Sequence, residues 1–269
     1  MNRTQVKKYF QDQSLKPTFG NYKVKDWNIH YAEIGSDTLP MVVFLHGAPG
    51  SWSAFKDYFK DSTLYSSAHL ISVDRPGYGY SNFGRPETSL RNQALLLKPI
   101  LKKNRSGLPA IIVGHSLGGP VAAWMAIDNP ILVGSIIMVA PSIAPELEPE
   151  EWYRFPLYLP IVRWILPTTF DMTNREIYHL KDELESMLPA WKNIKAYTTV
   201  IQGGKDKLVH PGNADFAKKM IVNAQVELII DPQMGHFVPW THPNVIKETI
   251  FKHLDLLKTK SITSFDPDP

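Results

Sequence analysis

Hydrophobic and polar residues alternate in blocks along the chain, and several of the hydrophobic blocks are short and uninterrupted. These continuous apolar runs cover residues 41–46, 69–74, 110–114, 134–140, 197–203 and 226–231. A short apolar run bounded by turn residues is typical of a strand that is buried on both faces of a parallel sheet. The pattern therefore predicts a mostly parallel sheet built from these runs.

Between the apolar runs, hydrophobic residues recur at the spacing of a helix. Such patterns lie near residues 88–104, 213–221 and 244–258, and Asn213 is the expected N-cap of the second. Residues 23–34 alternate instead, which predicts one or two short antiparallel strands ahead of the sheet. Strands that alternate with helices predict an α/β fold, with a doubly wound sheet covered on both faces.

One long interval breaks this alternation. Residues 141–193 separate the fourth apolar run from the fifth, and they are rich in proline and aromatic residues. Because connections of this length are uncommon in compact domains, we interpret the interval as a short helical cap inserted over the sheet. The sequence thus predicts a core of residues 1–140 and 194–258, a cap at 141–193 and a loose tail at 259–269.

Charge and composition exclude several kinds of site. The formal net charge is only +3, and we interpret the one basic cluster (Lys98, Lys102, Lys103 and Arg105) as the solvated end of a helix. Strong phosphate binding usually needs a broader basic surface, so we expect no nucleic-acid partner. The chain has no cysteine, which excludes disulfides, thiol nucleophiles and cysteine metal sites.

The hydrophobic runs also bear on the compartment. The N-terminal residues include basic side chains but no following apolar segment, so they do not resemble a secretory signal. No apolar run approaches the roughly 18 residues that a membrane span needs. We expect a cytoplasmic monomer or homodimer that acts on a small-molecule substrate, and a leader removed from the chain stays an open alternative.

Candidate catalytic residues follow three of the predicted strands. Ser116 comes after the third run, Asp206 after the fifth and His236 after the sixth. The carboxyl ends of parallel strands meet at one rim, so we expect the three side chains to converge there. A serine hydroxyl becomes a nucleophile when an imidazole takes its proton and a carboxylate holds that imidazole. A G-x-S-x-G turn with the order serine, acid, histidine is the signature of an α/β-hydrolase.

Five segments share this resemblance: HGAPGS, DRPGYGYS, GHSLGG, GGKDKLV and MGHFVPWTHP. In order and spacing they resemble the successive motifs of the α/β-hydrolase superfamily, from about residue 20 to residue 258. The resemblance implies a serine hydrolase that needs no cofactor. It also implies an oxyanion hole formed by the backbone N–H groups of Ala48 and Leu117, with His46 as a residue that organises its loop.

Other residues at the same rim compete for these roles. Asp231 also ends a strand and stays an alternative acid, and His210 is an alternative base. His115 precedes the serine, and we expect it to support the site without facing it. Asp74 is expected to brace the turn that follows it. No H-E-x-x-H pattern is present, so we predict no metal site.

The type of nucleophile and the cap suggest a substrate class. Within the superfamily, dehalogenases and epoxide hydrolases use aspartate where this chain has Ser116, so the resemblance favours a carboxylesterase for small or medium apolar esters. A C–C bond hydrolase stays open. We expect four aromatic residues of the cap to line the substrate pocket: Trp152, Phe155, Tyr158 and Trp164.

Two further interpretations belong to other functional classes. The HGAPG loop resembles the H-G-G-P-G loop of proline iminopeptidases, and acidic residues of the cap could bind a substrate ammonium: Glu146, Glu148, Glu150 and Glu151. The chain departs from that family by an alanine at position 48 and by an elbow that lacks tryptophan. The second interpretation is a ligand receptor on a hydrolase scaffold, which the complete serine, acid and histidine set disfavours.

Overall fold

The observed sheet contains the predicted strands in a mostly parallel arrangement. The computed structural model describes residues 1–149 and 166–263, and in this part of the chain eight strands form one sheet in the order β1-β2-β4-β3-β5-β6-β7-β8. The strands are β1 (Thr18–Val24), β2 (Trp27–Ile34), β3 (Met41–Leu45), β4 (His69–Val73), β5 (Ala110–His115), β6 (Val133–Val139), β7 (Tyr197–Gly203) and β8 (Val226–Asp231). Strands β3 to β8 pair in parallel, whereas β2 pairs antiparallel with β1 and β4.

Helices cover both faces of this sheet. The described α-helices are α1 (Arg3–Tyr9), α2 (Ser62–Ser67), α3 (Leu90–Leu97), α4 (Gly118–Asp128), α5 (Thr168–Met187), α6 (Asn213–Met220), α7 (Val238–Thr241) and α8 (Pro243–Thr263). Short 3₁₀ helices lie at Trp52–Phe55, Tyr58–Lys60, Lys98–Lys103, Pro145–Leu147 and Leu188–Asn193. Leu90 and Leu97 of α3 belong to one apolar layer, and Ile246 and Ile250 of α8 belong to the other. The doubly wound α/β fold is confirmed.

Strands β3 to β8 coincide with the six predicted runs to within one residue at each end. The exception concerns burial rather than position. β8 is only partly buried along its length, and Ile230 exposes 53% of its surface. This difference follows from the strand order, because β8 is the last strand and has a neighbour on one side only.

Asn213 has a different role from the predicted one. It is the first residue of α6 and not its N-cap, which is Gly212. Its side-chain oxygen accepts hydrogen bonds from the backbone N–H groups of Ile143 and Ala144, both at 2.8 Å. The side chain therefore fixes the segment that leaves β6, at the start of the predicted cap.

The described residues of the predicted cap are largely helical, with α5 as the longest element. Helix α8 continues to Thr263 and so includes residues 259–263 of the predicted tail. Among the described residues, no helix has both the length and the apolar content that crossing a bilayer would require.

Candidate active site

Ser116 lies at a sharp turn between β5 and α4. Its φ angle is +53°, in the left-handed region that non-glycine residues adopt rarely and at an energetic cost. Two backbone hydrogen bonds hold the turn: the Ser116 N–H donates to Val139 O at 2.9 Å, and the Gly119 N–H donates to Ser116 O at 2.8 Å. Strain of this kind persists where the surrounding structure determines it, and it often marks a functional site.

The small residues around Ser116 allow close backbone contacts. A Cβ atom on Gly114 would lie 2.3 Å from the carbonyl oxygen of Gly118, and one on Gly118 would lie 2.4 Å from the carbonyl oxygen of Leu45. Both distances are far below van der Waals contact, so any side chain would push the helix away from the strands. The glycines therefore allow the close strand-to-helix turn that carries Ser116.

His236 is hydrogen-bonded to Asp206. The imidazole Nδ1 lies 2.8 Å from Asp206 Oδ2, while Oδ1 accepts the backbone N–H groups of Leu208 and Val209 at 2.9 Å. Burial opposes ionisation of Asp206, but the hydrogen bonds from His236 and from these amides outweigh it and lower the pKa of the carboxyl. The carboxylate is therefore fixed and charged, and it directs the Nδ1 proton of His236 towards itself.

The alternative acid and base take part in other contacts. Asp231 Oδ1 accepts the backbone N–H of Gln233 at 2.7 Å. His210 is exposed, and its Nδ1 accepts the backbone N–H of Gly212 at 3.0 Å. The structure thus brings Asp206, rather than Asp231, to the imidazole of His236.

His115 contacts the backbone that carries His236. Its Nε2 lies 3.1 Å from the carbonyl oxygen of His236, with the ring buried. Burial, together with the nearby His236, lowers the pKa of the His115 imidazole to about 4. A neutral ring that donates from Nε2 holds the His236 main chain in place, in agreement with the expected supporting role.

Ser116 and His236 line one cavity of about 460 Å³. Ala48 and Leu117 line it too, and α5 contributes one wall through Ile177, Tyr178, Leu180, Lys181 and Asp182. Within the described part of the chain, no hydrogen bond joins the Ser116 hydroxyl to the His236 imidazole. The predicted pocket residues Trp152, Phe155, Tyr158 and Trp164 lie outside the described residues.

Two backbone amides near Ser116 have no partner in the part of the chain that the structure describes. Neither the Ala48 nor the Leu117 N–H has a hydrogen-bond acceptor among residues 1–149 and 166–263. Leu117 immediately precedes α4, whose N-terminal end attracts negative charge. Unpaired donors in a cavity can stabilise an oxygen atom that becomes negatively charged.

Sequence reasoning missed the role of Arg75, which is fully buried. Its Nε donates to His46 O at 2.8 Å, and its Nη2 donates to Gly47 O at 3.1 Å. The guanidinium also forms a bidentate ion pair with Glu176 of α5, at 2.9 and 3.2 Å. The Tyr78 hydroxyl donates a hydrogen bond to the same carboxylate. The one available signal was a charged residue directly after a buried strand.

His46 organises the loop that precedes Ala48. Its Nε2 accepts the backbone N–H of Arg75 at 3.0 Å, so the ring proton is on Nδ1, which donates to Gly47 O at 2.7 Å. Burial, followed by the charge of Arg75, lowers the pKa of the His46 imidazole to about 3. The ring is therefore neutral, and it holds the loop as expected.

Asp74 braces the neighbouring turn in the way the sequence predicted. Its Oδ1 accepts the backbone N–H of Trp52 at 2.7 Å, and its Oδ2 accepts that of Tyr80 at 2.9 Å. The carboxylate is fully buried and also contacts the imidazole of His30. These bonds tie the turn after β4 to the segment after β3.

Glu148, one of the acidic residues at the start of the predicted cap, reaches the cavity. It lies on the cavity wall, and the Ser142 hydroxyl donates a hydrogen bond to its Oε1. Burial raises the pKa of the Glu148 carboxyl, and the hydrogen bond from Ser142 opposes this rise. Across residues 1–149 and 166–263, the structure has no group of three or more histidine and acidic side chains placed to hold a metal ion.

Comparison with known proteins relates this geometry to a family. The model of a family described as the alpha/beta hydrolase family matches residues 42–248. Over 130 residues the chain is 33% identical to the mouse sn-1-specific diacylglycerol lipase ABHD11, an alignment that spans 48% of this chain and 39% of the lipase. It is 24% identical to mouse epoxide hydrolase 3, over 91% of this chain and 78% of that protein.

The fold has close counterparts among solved structures. A structure of a putative lipase from Acinetobacter baumannii superposes with a TM-score of 0.72 at 22% identity, covering 96% of this chain and 97% of the lipase. Epoxide hydrolase CorEH superposes with a TM-score of 0.68 at 18% identity, over 90% of this chain and 100% of that chain. At these identities the likeness concerns the fold.

Proposed function

The chain belongs to the alpha/beta hydrolase family, and from this premise we propose that it is a serine hydrolase, specifically a carboxylesterase for small or medium apolar esters. One observation supports the proposal most: a single cavity is lined by Ser116, by His236, and by Ala48 and Leu117, whose backbone N–H groups have no acceptor among the described residues. Nucleophile, base and oxyanion donors are the three components that acyl transfer requires.

In the proposed mechanism, Ser116 Oγ attacks the ester carbonyl carbon while its proton passes to His236 Nε2. Asp206 keeps the other ring proton on Nδ1 and stabilises the imidazolium. The carbonyl oxygen becomes an anion that accepts the N–H groups of Ala48 and Leu117. When this tetrahedral intermediate collapses, its bond to the alcohol oxygen breaks, and the alcohol leaves with the proton from His236 Nε2. Water then repeats the sequence on the acyl-enzyme and releases the acid.

The missing hydrogen bond between Ser116 and His236 fits a resting enzyme. Catalytic hydrogen bonds are often long or misaligned before substrate binds, and they shorten in the complex. The Asp206 contact already fixes the ring through Nδ1, so Nε2 is the ring nitrogen left to accept the serine proton.

The cavity wall supports the choice of substrate. Ile177 and Leu180 of α5, with Leu208 and Val209 from the loop after β7, belong to its apolar part. A volume of about 460 Å³ lies at the lower end of small-molecule sites, which favours short or medium acyl chains. We propose that residues 141–193 serve as the cap that closes this cavity. The lipase relative is named for ester hydrolysis, in keeping with the proposed reaction.

Hydrolysis of p-nitrophenyl butyrate by Ser116→Ala and wild-type protein tests the proposal. We expect the variant to lose at least about 10³-fold in kcat/KM, and a fluorophosphonate probe to label wild-type protein but not Ser116→Ala. Ser66→Ala, an exposed serine on α2, is the matched control and should be labelled fully. Equal turnover by Ser116→Ala would refute the nucleophile, and folded wild-type protein that resists the probe would favour a receptor.

An aminopeptidase is the second candidate, because Glu148 shares the cavity with Ser116. A carboxyl group there could accept hydrogen bonds from a substrate ammonium. Burial makes this carboxyl harder to ionise, which is why the esterase ranks first. A clear preference for proline-β-naphthylamide over p-nitrophenyl esters would reverse the order.

A further inference from the structure

The carbonyl oxygen of Gly47 accepts two hydrogen bonds from buried donors. His46 Nδ1 lies at 2.7 Å and Arg75 Nη2 at 3.1 Å. The peptide group that carries this carbonyl also carries the N–H of Ala48. A trans peptide is planar, and its C=O and N–H bonds point to opposite sides. The groups that hold the Gly47 oxygen therefore also fix the direction of the Ala48 N–H, which points the opposite way within the same plane. Ala48 lines the cavity.

We propose that Arg75 is a positioning residue for the oxyanion hole, acting through the Gly47–Ala48 peptide; the inference rests on the function proposed above. The guanidinium fixes the plane of that peptide together with His46. Its positive charge also lies next to the carbonyl oxygen. This charge draws electron density away from the peptide nitrogen and makes the Ala48 N–H a stronger hydrogen-bond donor.

Glu176 links Arg75 to the predicted cap. Its two carboxylate oxygens contact Nη1 and Nη2 of Arg75 at 2.9 and 3.2 Å, so the fork of the guanidinium can adopt one orientation only. Gln93 adds bonds to both partners: its side-chain oxygen accepts from Arg75, and its side-chain nitrogen donates to Glu176. Since Glu176 lies on α5, the helix that walls the cavity also sets the angle of the oxyanion donor.

A purely structural role for Arg75 makes a different prediction. If the ion pair of Arg75 and Glu176 only supported the fold, its removal could lower the stability of the protein but would not lower the kcat of the molecules that remain folded. If Arg75 positions the Ala48 amide, folded molecules should bind a tetrahedral oxyanion less tightly while binding a planar ketone almost as before.

The test removes both charges together, in Arg75→Met/Glu176→Leu. Replacing a buried ion pair by apolar residues is often neutral for stability, whereas removing one partner leaves a buried charge uncompensated. The matched control is Arg91→Met/Asp128→Leu, an ion pair of 3.0 Å that does not line the cavity. Readouts are kcat and KM for p-nitrophenyl butyrate, and the inhibition constants of an alkyl trifluoromethyl ketone and of the matching methyl ketone.

We expect the Arg75→Met/Glu176→Leu variant to lose about 10-fold in kcat and in affinity for the trifluoromethyl ketone, less than the 10²- to 10³-fold cost of losing an oxyanion donor outright. KM and methyl ketone affinity should change by less than about 3-fold, the range of merely uniform binding effects. A folded double variant with wild-type kcat and ketone affinities would overturn the inference.

Arg75→Lys covers the case in which the double variant does not fold. The ammonium keeps the charge but cannot bridge Gly47 and Glu176 with a planar fork, so we expect a loss between wild type and the double variant. Full activity and full trifluoromethyl ketone affinity in folded Arg75→Lys would contradict the inference. Ser116→Ala, measured in parallel, separates the two levels: wild-type turnover there refutes the proposed function, whereas an inactive Ser116→Ala beside a normal Arg75→Lys refutes only the role of Arg75.

Discussion

The Asp206 carboxylate lies 2.8 Å from Nδ1 of His236, although the two residues follow different strands of the sheet. Asp231 is the last residue of the adjacent strand β8, and its carboxylate instead accepts a hydrogen bond from the backbone N–H of Gln233. A carboxylate at Nδ1 selects the tautomer that leaves Nε2 free to accept a proton. This contact therefore selects Asp206 over Asp231 as the acid of the proposed mechanism.

Asp206→Asn should lower kcat for p-nitrophenyl butyrate by about 10³- to 10⁴-fold. An amide in place of the carboxylate favours the wrong tautomer of His236 while preserving much of the geometry. Steady-state kinetics with Asp231→Asn as the matched control check this, and we expect the control to stay within about 3-fold of wild type. The opposite ranking of the two variants would mean that the catalytic acid is Asp231.

Gly118→Ala should destabilise the fold by about 2 kcal/mol or more, since its Cβ would lie 2.4 Å from the backbone oxygen of Leu45. Urea denaturation measures the change. Gly235→Ala is the control, because a Cβ there would approach no atom closer than 3.9 Å. We expect that control to differ from wild type by less than about 1 kcal/mol; equal stability of Gly118→Ala would show that strand and helix can separate without cost.

Acid should destabilise the protein through its buried histidines, of which His253 is the clearest because it lies outside the site. Its Nε2 is 2.8 Å from Thr199 Oγ1, its Nδ1 contacts the Ser135 hydroxyl, and burial lowers its pKa to about 4. An unfolded histidine titrates near pH 6.5, so between these values the unfolded state binds more protons. The free energy of unfolding should therefore fall as pH drops from about 6.5 to about 4, by on the order of 3 kcal/mol for this group.

Replacing His253 by glutamine should remove its share of that pH dependence. The slope of unfolding free energy against pH, measured in urea between pH 7 and pH 4.5, should be shallower in His253→Gln than in wild type. His210→Gln, at an exposed position, is the matched control. A slope identical in all three proteins would contradict the proposed linkage.

Glu148→Gln separates the two candidate activities. For the proposed esterase we expect kcat/KM for p-nitrophenyl butyrate to change by less than about 3-fold, and proline-β-naphthylamide to be a poor substrate of wild type. If the carboxylate binds a substrate ammonium, its loss should instead cost the amide substrate about 10- to 100-fold. Glu146→Gln, an exposed neighbour in the same segment, is the control for both substrates.

The strands and the rim residues could be predicted because their signals are local. Continuous apolar runs located β3 to β8, and the loop that follows a parallel strand begins at the rim; Ser116 and His236 lie in such loops. The choice between Asp206 and Asp231 could not be made locally, because both lie at or near the end of a strand. It depends on how two loops pack against each other, which hydrophobic spacing does not encode.

Other features were inaccessible for the same reason. Asn213 has the sequence context of an N-cap, yet its side chain binds the backbone of residues 143 and 144, far away in the chain. The ion pair between Arg75 and Glu176 joins residues 101 positions apart, and it exists only because α5 packs onto the turn after β4. Such contacts result from tertiary packing, and the hydrophobic periodicity of a single sequence does not predict them.

Helix α5 limits how the specificity of this enzyme could be redesigned. Exchanging the cap for that of another hydrolase is an obvious route to new substrates, since Ile177 and Leu180 shape the cavity. Such an exchange would leave Arg75 without a counter-ion unless the incoming helix has a carboxylate at position 176. A chimera that keeps this carboxylate should acquire the donor's selectivity with the host's turnover, whereas one that lacks it should acquire the new pocket with a reduced turnover.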